Sequence, residues 1–335
     1  VWITVPAIML GALIITTDIP LLMYWTIGLF AFVRLTARAS LGDALLLGVA
    51  IGLGMLSKYA MIYFPLGMAL AFVLSPLARR ALRPVHLVIV FAVAALVFLP
   101  NVLWNAAHDF RTLEHTQANA GWGGNLFHPD ELIEFFFAQF AVAGPVIFGF
   151  LLFGLATARR RMDAANAGAD RLLIAFGLPP LIIILIQATI SGANANWAMT
   201  AYPALTMLVT AWMLRGGHRR LLAWSTAGHA ALGLIGLLAI SNFAVLDALG
   251  QANAIKRVRG WPEQVAEIER YAQDYPVVVV DDRELMGNIL YYMRDSHIAV
   301  KAIDYNRHVE HGYEAFNAFD PTTVDRALLV AKYPQ

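Results

Sequence analysis

The chain contains no cysteine, which excludes disulfides and thiolate metal sites while leaving the compartment open. Charge is also scarce. Only 14% of the 335 residues are Asp, Glu, Lys or Arg, against about a quarter in an average soluble domain. Lysine is scarcer still, with Lys58 the sole one before Lys256. No Lys/Arg run forms a nucleic-acid patch and the formal net charge is only +1, so nucleic acid is not an expected partner. The tail's first strand-like run, "PVVVVDD", is not followed by a Gly-rich phosphate loop, which removes the usual signature of a nucleotide site.

What is abundant is apolar surface. Hydrophobic residues make up 59% of the chain and the mean hydropathy is +0.62, the composition of a polytopic membrane protein. Apolar stretches fall at about 1–17, 19–35, 43–57, 60–75, 85–104, 132–156, 172–190, 199–214 and 221–245, several of them shorter than the roughly 20 residues of a full span. Val1 lies inside the first stretch, without a charged n-region or a small-residue cleavage site ahead of it. No signal peptide is read, and further residues are expected upstream.

The expected architecture is mostly α: a transmembrane helical domain over 1–248 with about nine spans and an outer loop at 105–131, then a small extracytoplasmic α/β domain over 249–335. In that tail "WPEQVAEIERYAQD" and "RELMGNILYYMRD" read as helices, and "PVVVVDD", "HIAVKAID" and "RALLVAKY" as strands.

Charge gives the orientation. Every second connection between spans is basic, holding Arg34, Arg38, Arg79, Arg80, Arg83, Arg159, Arg160, Arg161, Arg171, Arg215, Arg219 and Arg220, while the alternate connections hold only Lys58 and Arg111. Such asymmetry marks the basic side as cytoplasmic. Asp18, Lys58, the loop 105–131, the turn "SGANANW" and the tail then share the outer face.

Asp18 sits in the apolar stretch "IMLGALIITTDIPLLMYWTIGLF", where an unpaired buried carboxylate would be very costly. At an outer turn it either caps the descending helix, with Pro20 in the first turn, or serves a function. Lys58, in "IGLGMLSKYAMIYFP", either snorkels as a helix-end anchor or meets an anionic headgroup such as a lipid phosphate. The long outer loop is rich in Trp, His, Asn and carboxylates. Trp104 and Trp122 fit an interfacial aromatic belt, and Trp and Asn also suit sugars. "GWGG" reads as hinges of a closing loop. The adjacent Glu114 and His115 read either as residues of a plain solvated loop or as an acid/base or metal pair, while His108, His115 and His128 match no standard metal spacing. Gln139 and Gln187, set deeper, are expected to bond between helices.

The stretches "TTDIPLLMYWTIGLFAF" and "GVAIGLGMLSKYAMIYFP" resemble the core of the protein O-mannosyltransferase-like membrane glycosyltransferases, which include bacterial aminoarabinose and galacturonic-acid transferases that modify lipopolysaccharide. "PNVLWNAAHDFRTLEHT", "EFFFAQFAVAGPVIF", "NWAMTAYPAL" and "DDRELMGNILYYMRD" resemble a proteobacterial branch of it. The resemblance covers nearly the whole chain.

It implies the GT-C fold in the bacterial inner membrane, with a periplasmic C-terminal domain. It also implies an inverting glycosyltransferase that takes a sugar from a polyprenyl-phosphate donor to a lipid, glycan or protein acceptor. Asp18 becomes the family's second acidic residue near the donor and the catalytic candidate within this chain. Lys58 becomes the holder of the lipid phosphate. The remaining substrate-binding candidates are Tyr59, Trp104, Asn105, His108, Glu114, His115, Asn196 and Trp197. The family's main catalytic acid lies in a first outer loop, a region upstream of Val1, so Asp18 is placed beside the donor without being made the general base. No nucleotide or redox cofactor is needed, and a divalent cation stays open. The alternatives are a transporter, which would place ionisable groups near the midplane, and a non-catalytic subunit that binds the lipid carrier.

Overall fold

A computed structural model describes the chain except residues 14–15, 124–125, 158–164, 249, 251–258, 306–308, 310 and 333–335, and the side chains of His115, Ala118, Asn119 and Val245. The protein is mostly helical and forms two compact units, Val1–Leu238 and Ala239–Gln335. The division falls inside the last long apolar helix, ahead of the boundary expected after residue 248.

In chain order the helices of the first unit are α1 (Pro6–Gly11), α2 (Asp18–Ala37), α3 (Leu41–Ser57), α4 (Tyr63–Leu74), α5 (Pro76–Ala81) and α6 (Pro84–Ala107). They continue with α7 (Arg111–Ala120), α8 (Pro129–Ala143), α9 (Pro145–Ala156), α10 (Ala167–Ser191), α11 (Tyr202–Arg215) and α12 (Arg219–Ser241). Short 3-10 turns at Tyr59–Ile62 and Ala195–Ala201 lead into α4 and α11.

Among the described residues five helices are long and apolar enough to cross a membrane: α2, α6, α10, α12, and α11 together with its leading turn, Ala195–Arg215. The apolar helices Leu41–Ser57 and Tyr59–Leu74 are shorter. Where a span was expected over 1–17, the described residues form a 3-10 turn at Trp2–Thr4 and the six-residue α1. The stretch 132–156, expected as one span, is broken. Its two helices, α8 and α9, are bent by 116°. The break sits at Gly144, with φ 92° and ψ 141°, a conformation essentially confined to glycine. Pro145 follows and opens α9, since its missing N–H is no loss in a first turn. A Cβ on Gly144 would fall 2.0 Å from His229 Nε2, so close packing as well as backbone conformation requires glycine there.

Small residues bring α3 against α6. Cβ atoms built at Gly48 and Gly52 would lie 2.8 Å from Val93 Cβ and 2.6 Å from Val97 Cβ, the close approach that one-turn glycine spacing permits between membrane helices. Ser40 starts α3, its hydroxyl accepting the Asp43 N–H at 3.3 Å. Across the bundle, Phe64 of α4 meets Trp25 of α2 and Phe176 of α10, with ring centroids 5.0 and 4.8 Å apart. These rings are completely buried. By contrast Val88 and Leu96 of α6 and Ile235 of α12 are exposed, as expected of faces that meet lipid rather than water.

The helices set two ends. The N-terminus of α2 and the C-terminus of α3 bring residues 18 and 58 to one end, and a 20-residue α2 separates them by about 30 Å from the other. At that other end buried carboxylates meet arginine: Asp43 lies 2.9 Å from Arg34 Nε and 3.3 Å from Arg38 Nε. Asp170 accepts from Arg215 Nη2 on both oxygens at 2.8 Å and from the Trp212 indole at 2.9 Å.

The second unit contains β1 (Val277–Val280), β2 (Ala299–Ala302) and β3 (Leu328–Val330), parallel and in the order β2–β1–β3. Val278 pairs with Val300 and with Leu328. The central strand is buried along its whole length, which explains a continuous valine run instead of an alternating pattern. The helices α13 (Phe243–Ala248), α14 (Trp261–Ala272), α15 (Arg283–Tyr292) and α16 (Gly312–Phe316) accompany it. Val265, Leu285, Met286 and Ile289 pack with the sheet into this unit's own core.

Candidate active site

Asp18 and Lys58 are 40 positions apart and form an ion pair, Lys58 Nζ donating to Asp18 Oδ1 at 2.7 Å. Asn196, from the 3-10 turn that precedes α11, donates to the other carboxylate oxygen at 2.8 Å. Three residues singled out in the sequence therefore meet at one point, drawn from α2, the α3 terminus and a turn 178 positions from Asp18. Asp18 is only 8% exposed. Two donors, one charged, are what a carboxylate in such a position needs.

Thr17 is the residue that precedes the helix and Asp18 is its first residue. The Asp18 carboxylate is turned to Lys58 and Asn196, not onto the free N–H groups of its own first turn, so it does not cap the helix. Lys58 is the residue after α3, in an extended conformation. Its ammonium is held inward by Asp18 instead of snorkelling away. An ammonium has three N–H donors, so the bond to Asp18 leaves capacity toward an anion on its outer side.

Tyr59, the next residue, turns elsewhere. Its hydroxyl donates to Asn101 Oδ1 at 2.7 Å. Asn105 is 3% exposed. Its Nδ2 donates to the Asn101 carbonyl at 2.9 Å, and its Oδ1 accepts the Thr112 N–H at 3.2 Å. The expectation that Asn105 faces substrate therefore gives way to a buried internal role, because both ends of its amide are engaged. Asn101 was passed over in the sequence. The available signal was its four-residue spacing from Asn105 on an otherwise apolar helix.

Trp104 and His108 stack, with ring centroids 4.3 Å apart and 13° between planes. The His108 Nδ1 lies 2.8 Å from the Trp104 carbonyl, and since a carbonyl only accepts, Nδ1 carries the proton. Trp104 remains 39% exposed, an aromatic platform at the end of α6. Glu114 lies on the exposed surface of α7. The His115 side chain lies outside the described residues, so neither the Glu114–His115 pair nor the three-histidine grouping is described. Among the described residues no three His, Asp or Glu side chains gather as metal ligands. Trp197 packs partly buried against the core instead of standing out beside Asn196.

The loop 105–131 is partly helical. It contains α7, and the far side of that helix is fastened: the Ala120 carbonyl accepts from Gln187 Nε2 at 2.8 Å and from the Ser191 hydroxyl. The Trp122 indole donates to Gln187 Oε1 at 2.8 Å. Gln187 thus bonds between segments, and so does Gln139, which accepts from the Tyr202 hydroxyl at 2.7 Å and donates to the Ala195 carbonyl at 3.2 Å. In "GWGG", Gly124 lies outside the described residues.

Residues 1–104, which include both Asp18 and Lys58, match the family model for dolichyl-phosphate-mannose-protein mannosyltransferase. The chain is 36% identical over 305 residues to the lipid A galacturonosyltransferase RgtD of Rhizobium johnstonii. The chain is similar to membrane glycosyltransferases of the GT-C type. The alignment covers 90% of this chain but 63% of that relative's length. No solved structure matches the chain. The paired Asp18 and Lys58 lie inside the segment that the family model matches, whereas Asn196 lies beyond it.

Proposed function

We propose that this chain is the membrane core of an inverting glycosyltransferase, one that moves a sugar from a polyprenyl-phosphate donor to a lipid or glycan acceptor at the outer face of the bacterial inner membrane. The observation that carries the reading is the meeting of Asp18, Lys58 and Asn196 at one end of the bundle, opposite the end rich in arginine. Such an end is where a donor anchored in the bilayer by its isoprenoid tail would present its phosphate.

Lys58 would offset charge on the departing lipid phosphate, a stabilisation that grows as the bond to the sugar breaks. Asp18, with both oxygens committed, would orient that ammonium, and Asn196 would hold Asp18. The Trp104 ring would offer a face to the sugar. A carboxylate would take the proton of the acceptor hydroxyl as it attacks the anomeric carbon. The second unit would lie in the periplasm as a small α/β domain. The curated relative's name points to galacturonic acid and lipid A as the first donor sugar and acceptor to try.

The test is transfer of labelled sugar from a polyprenyl-phosphate donor by the full-length protein in proteoliposomes. Lys58→Ala is expected to lower the rate by roughly 100-fold or more, the usual effect of removing a group that stabilises developing charge. An unchanged rate in that variant would sink the phosphate role. Solute flux without transfer would favour a transporter, and binding of the lipid carrier without transfer would favour a binding subunit.

A further inference from the structure

We infer that Asn105 is a positioning residue that couples α7 to Lys58 through Tyr59; the inference rests on the donor-phosphate role proposed for Lys58. The turn between α6 and α7 is unusual. Asp109 and Phe110 both have φ of +54°, a left-handed conformation that non-glycine residues rarely adopt, and rarer still in succession. Such a turn persists only where its surroundings hold it.

Asn105 does the holding. Its main-chain carbonyl accepts the N–H of His108 at 3.1 Å and of Phe110 at 2.9 Å. Its side-chain carbonyl accepts the Thr112 N–H at 3.2 Å, in the first turn of α7. One residue thus fixes the direction in which α7 leaves the turn. The opposite end of the same side chain reaches back. Asn105 Nδ2 donates to Asn101 Oδ1 at 3.2 Å and lies 3.4 Å from the Tyr59 hydroxyl. Tyr59 donates to the same Asn101 oxygen and is covalently next to Lys58.

A continuous line of bonds therefore runs from Asp18 through Lys58, Tyr59, Asn101 and Asn105 to Thr112. A phosphate that draws on the Lys58 ammonium shifts the residue to which Tyr59 is joined, and the line passes that shift to α7. Fastened at its far side by Gln187 and Ser191, α7 responds as one body. Asn105 touches neither phosphate nor sugar. It sets where α7 stands when they bind.

Hydrogen exchange of residues 108–120 in the full chain in nanodiscs, with and without undecaprenyl phosphate, measures the coupling independently of any sugar transfer. Undecaprenyl phosphate is expected to slow exchange of these amides severalfold in the natural protein. The effect should vanish in Asn105→Ala and in Tyr59→Phe, while amides elsewhere in α3 and α10 keep their protection. In parallel transfer assays Asn105→Ala should lower kcat about tenfold with the donor KM within about twofold, and Tyr59→Phe combined with Asn105→Ala should be no worse than Asn105→Ala alone. Exchange that rises equally in every helix, ligand protection that survives both substitutions, or independent multiplying effects on kcat would overturn the coupling. If the natural protein transfers no sugar yet shows protection that both variants lose, the coupling stands and the enzymatic reading falls.

Discussion

The two ends of the helical unit bury their carboxylates against different cations. At one end Asp43 and Asp170 meet arginine: Arg34 and Arg38 for the first, Arg215 with the Trp212 indole for the second. At the other end Asp18 meets Lys58 and an amide. The carboxylates are similarly buried, with Asp170 1%, Asp43 4% and Asp18 8% exposed, so burial alone does not separate them. The cations do. A guanidinium is planar and fixes its partner from a rigid fork, whereas an ammonium is a compact charge on a flexible stem. The arginine end is built to stay closed. The lysine end satisfies its carboxylate while leaving its cation able to turn toward a second anion, which suits a ligand site and would be wasted in a clamp.

Removing Asp170 should have the largest effect. Asp170→Ala leaves Arg215 and the Trp212 N–H without their acceptor in a place with little water. Breaking such a buried pair costs about 3–5 kcal/mol. Thermal unfolding in detergent should show this loss, while transfer per folded molecule stays within about twofold of the natural rate, a ratio worth under 1 kcal/mol. A loss of transfer without a loss of stability would erase the contrast between the ends.

Making the ends alike is the sharper test. Lys58→Arg keeps the charge and can keep the bond to Asp18, but replaces a swivelling ammonium with a fork. Stability should hardly change, and transfer should fall about tenfold, equivalent to about 1.4 kcal/mol. Full activity in Lys58→Arg would mean that charge alone suffices and that the choice of lysine teaches nothing.

Much of this was legible in the sequence, for reasons that differ between residues. Asp18, Lys58 and Asn196 stood out because a polar group in a chain that is 59% hydrophobic is conspicuous. The alternation of arginines placed all three on one side of the bundle. Their mutual contact was not legible, since no periodicity relates residues 178 positions apart. Asp43 and Asp170 were missed for the opposite reason: among many arginines they look like ordinary solvated loop charges, and only packing shows them buried. The break at Gly144 was written as a Gly-Pro pair, a strong turn signal, but the apolar run continues through it and reads as one span. Helix α7 was hidden because its polar sequence, "RTLEHTQANA", has no apolar stripe to reveal a helical period. The valine run of β1 and the flanking helices of the second unit were plain, since the apolar period changes from one to the other.

The smallest effect comes from the same pair of residue types where it is more open to solvent. In the second unit Lys332 Nζ lies 3.0 Å from Asp282 Oδ2, close to the 2.7 Å of Lys58 and Asp18. Asp282 also precedes α15 and accepts the N–H groups of Glu284 and Leu285, each at 2.9 Å. Partial burial pushes the Asp282 carboxyl up, but the Leu285 N–H, Lys332 and the Glu284 N–H outweigh it and hold the group below the usual carboxylate value. A carboxyl held low in the folded state contributes stability above its unfolded value of about 3.9 and loses that contribution as pH falls through the folded value. Lys332→Ala should therefore cost less than about 1 kcal/mol at neutral pH, because exposed pairs are screened by solvent. Asp282→Ala should cost about 1 kcal/mol, mostly through the lost cap, and its charge-dependent part should fade below about pH 4. Exchange of the β1 amides in the full chain reads both. If Lys332→Ala unfolds its unit as readily as Asp170→Ala unfolds the other, distance alone would set the worth of an ion pair, and the distinction drawn between fully and partly buried carboxylates would fail at its base.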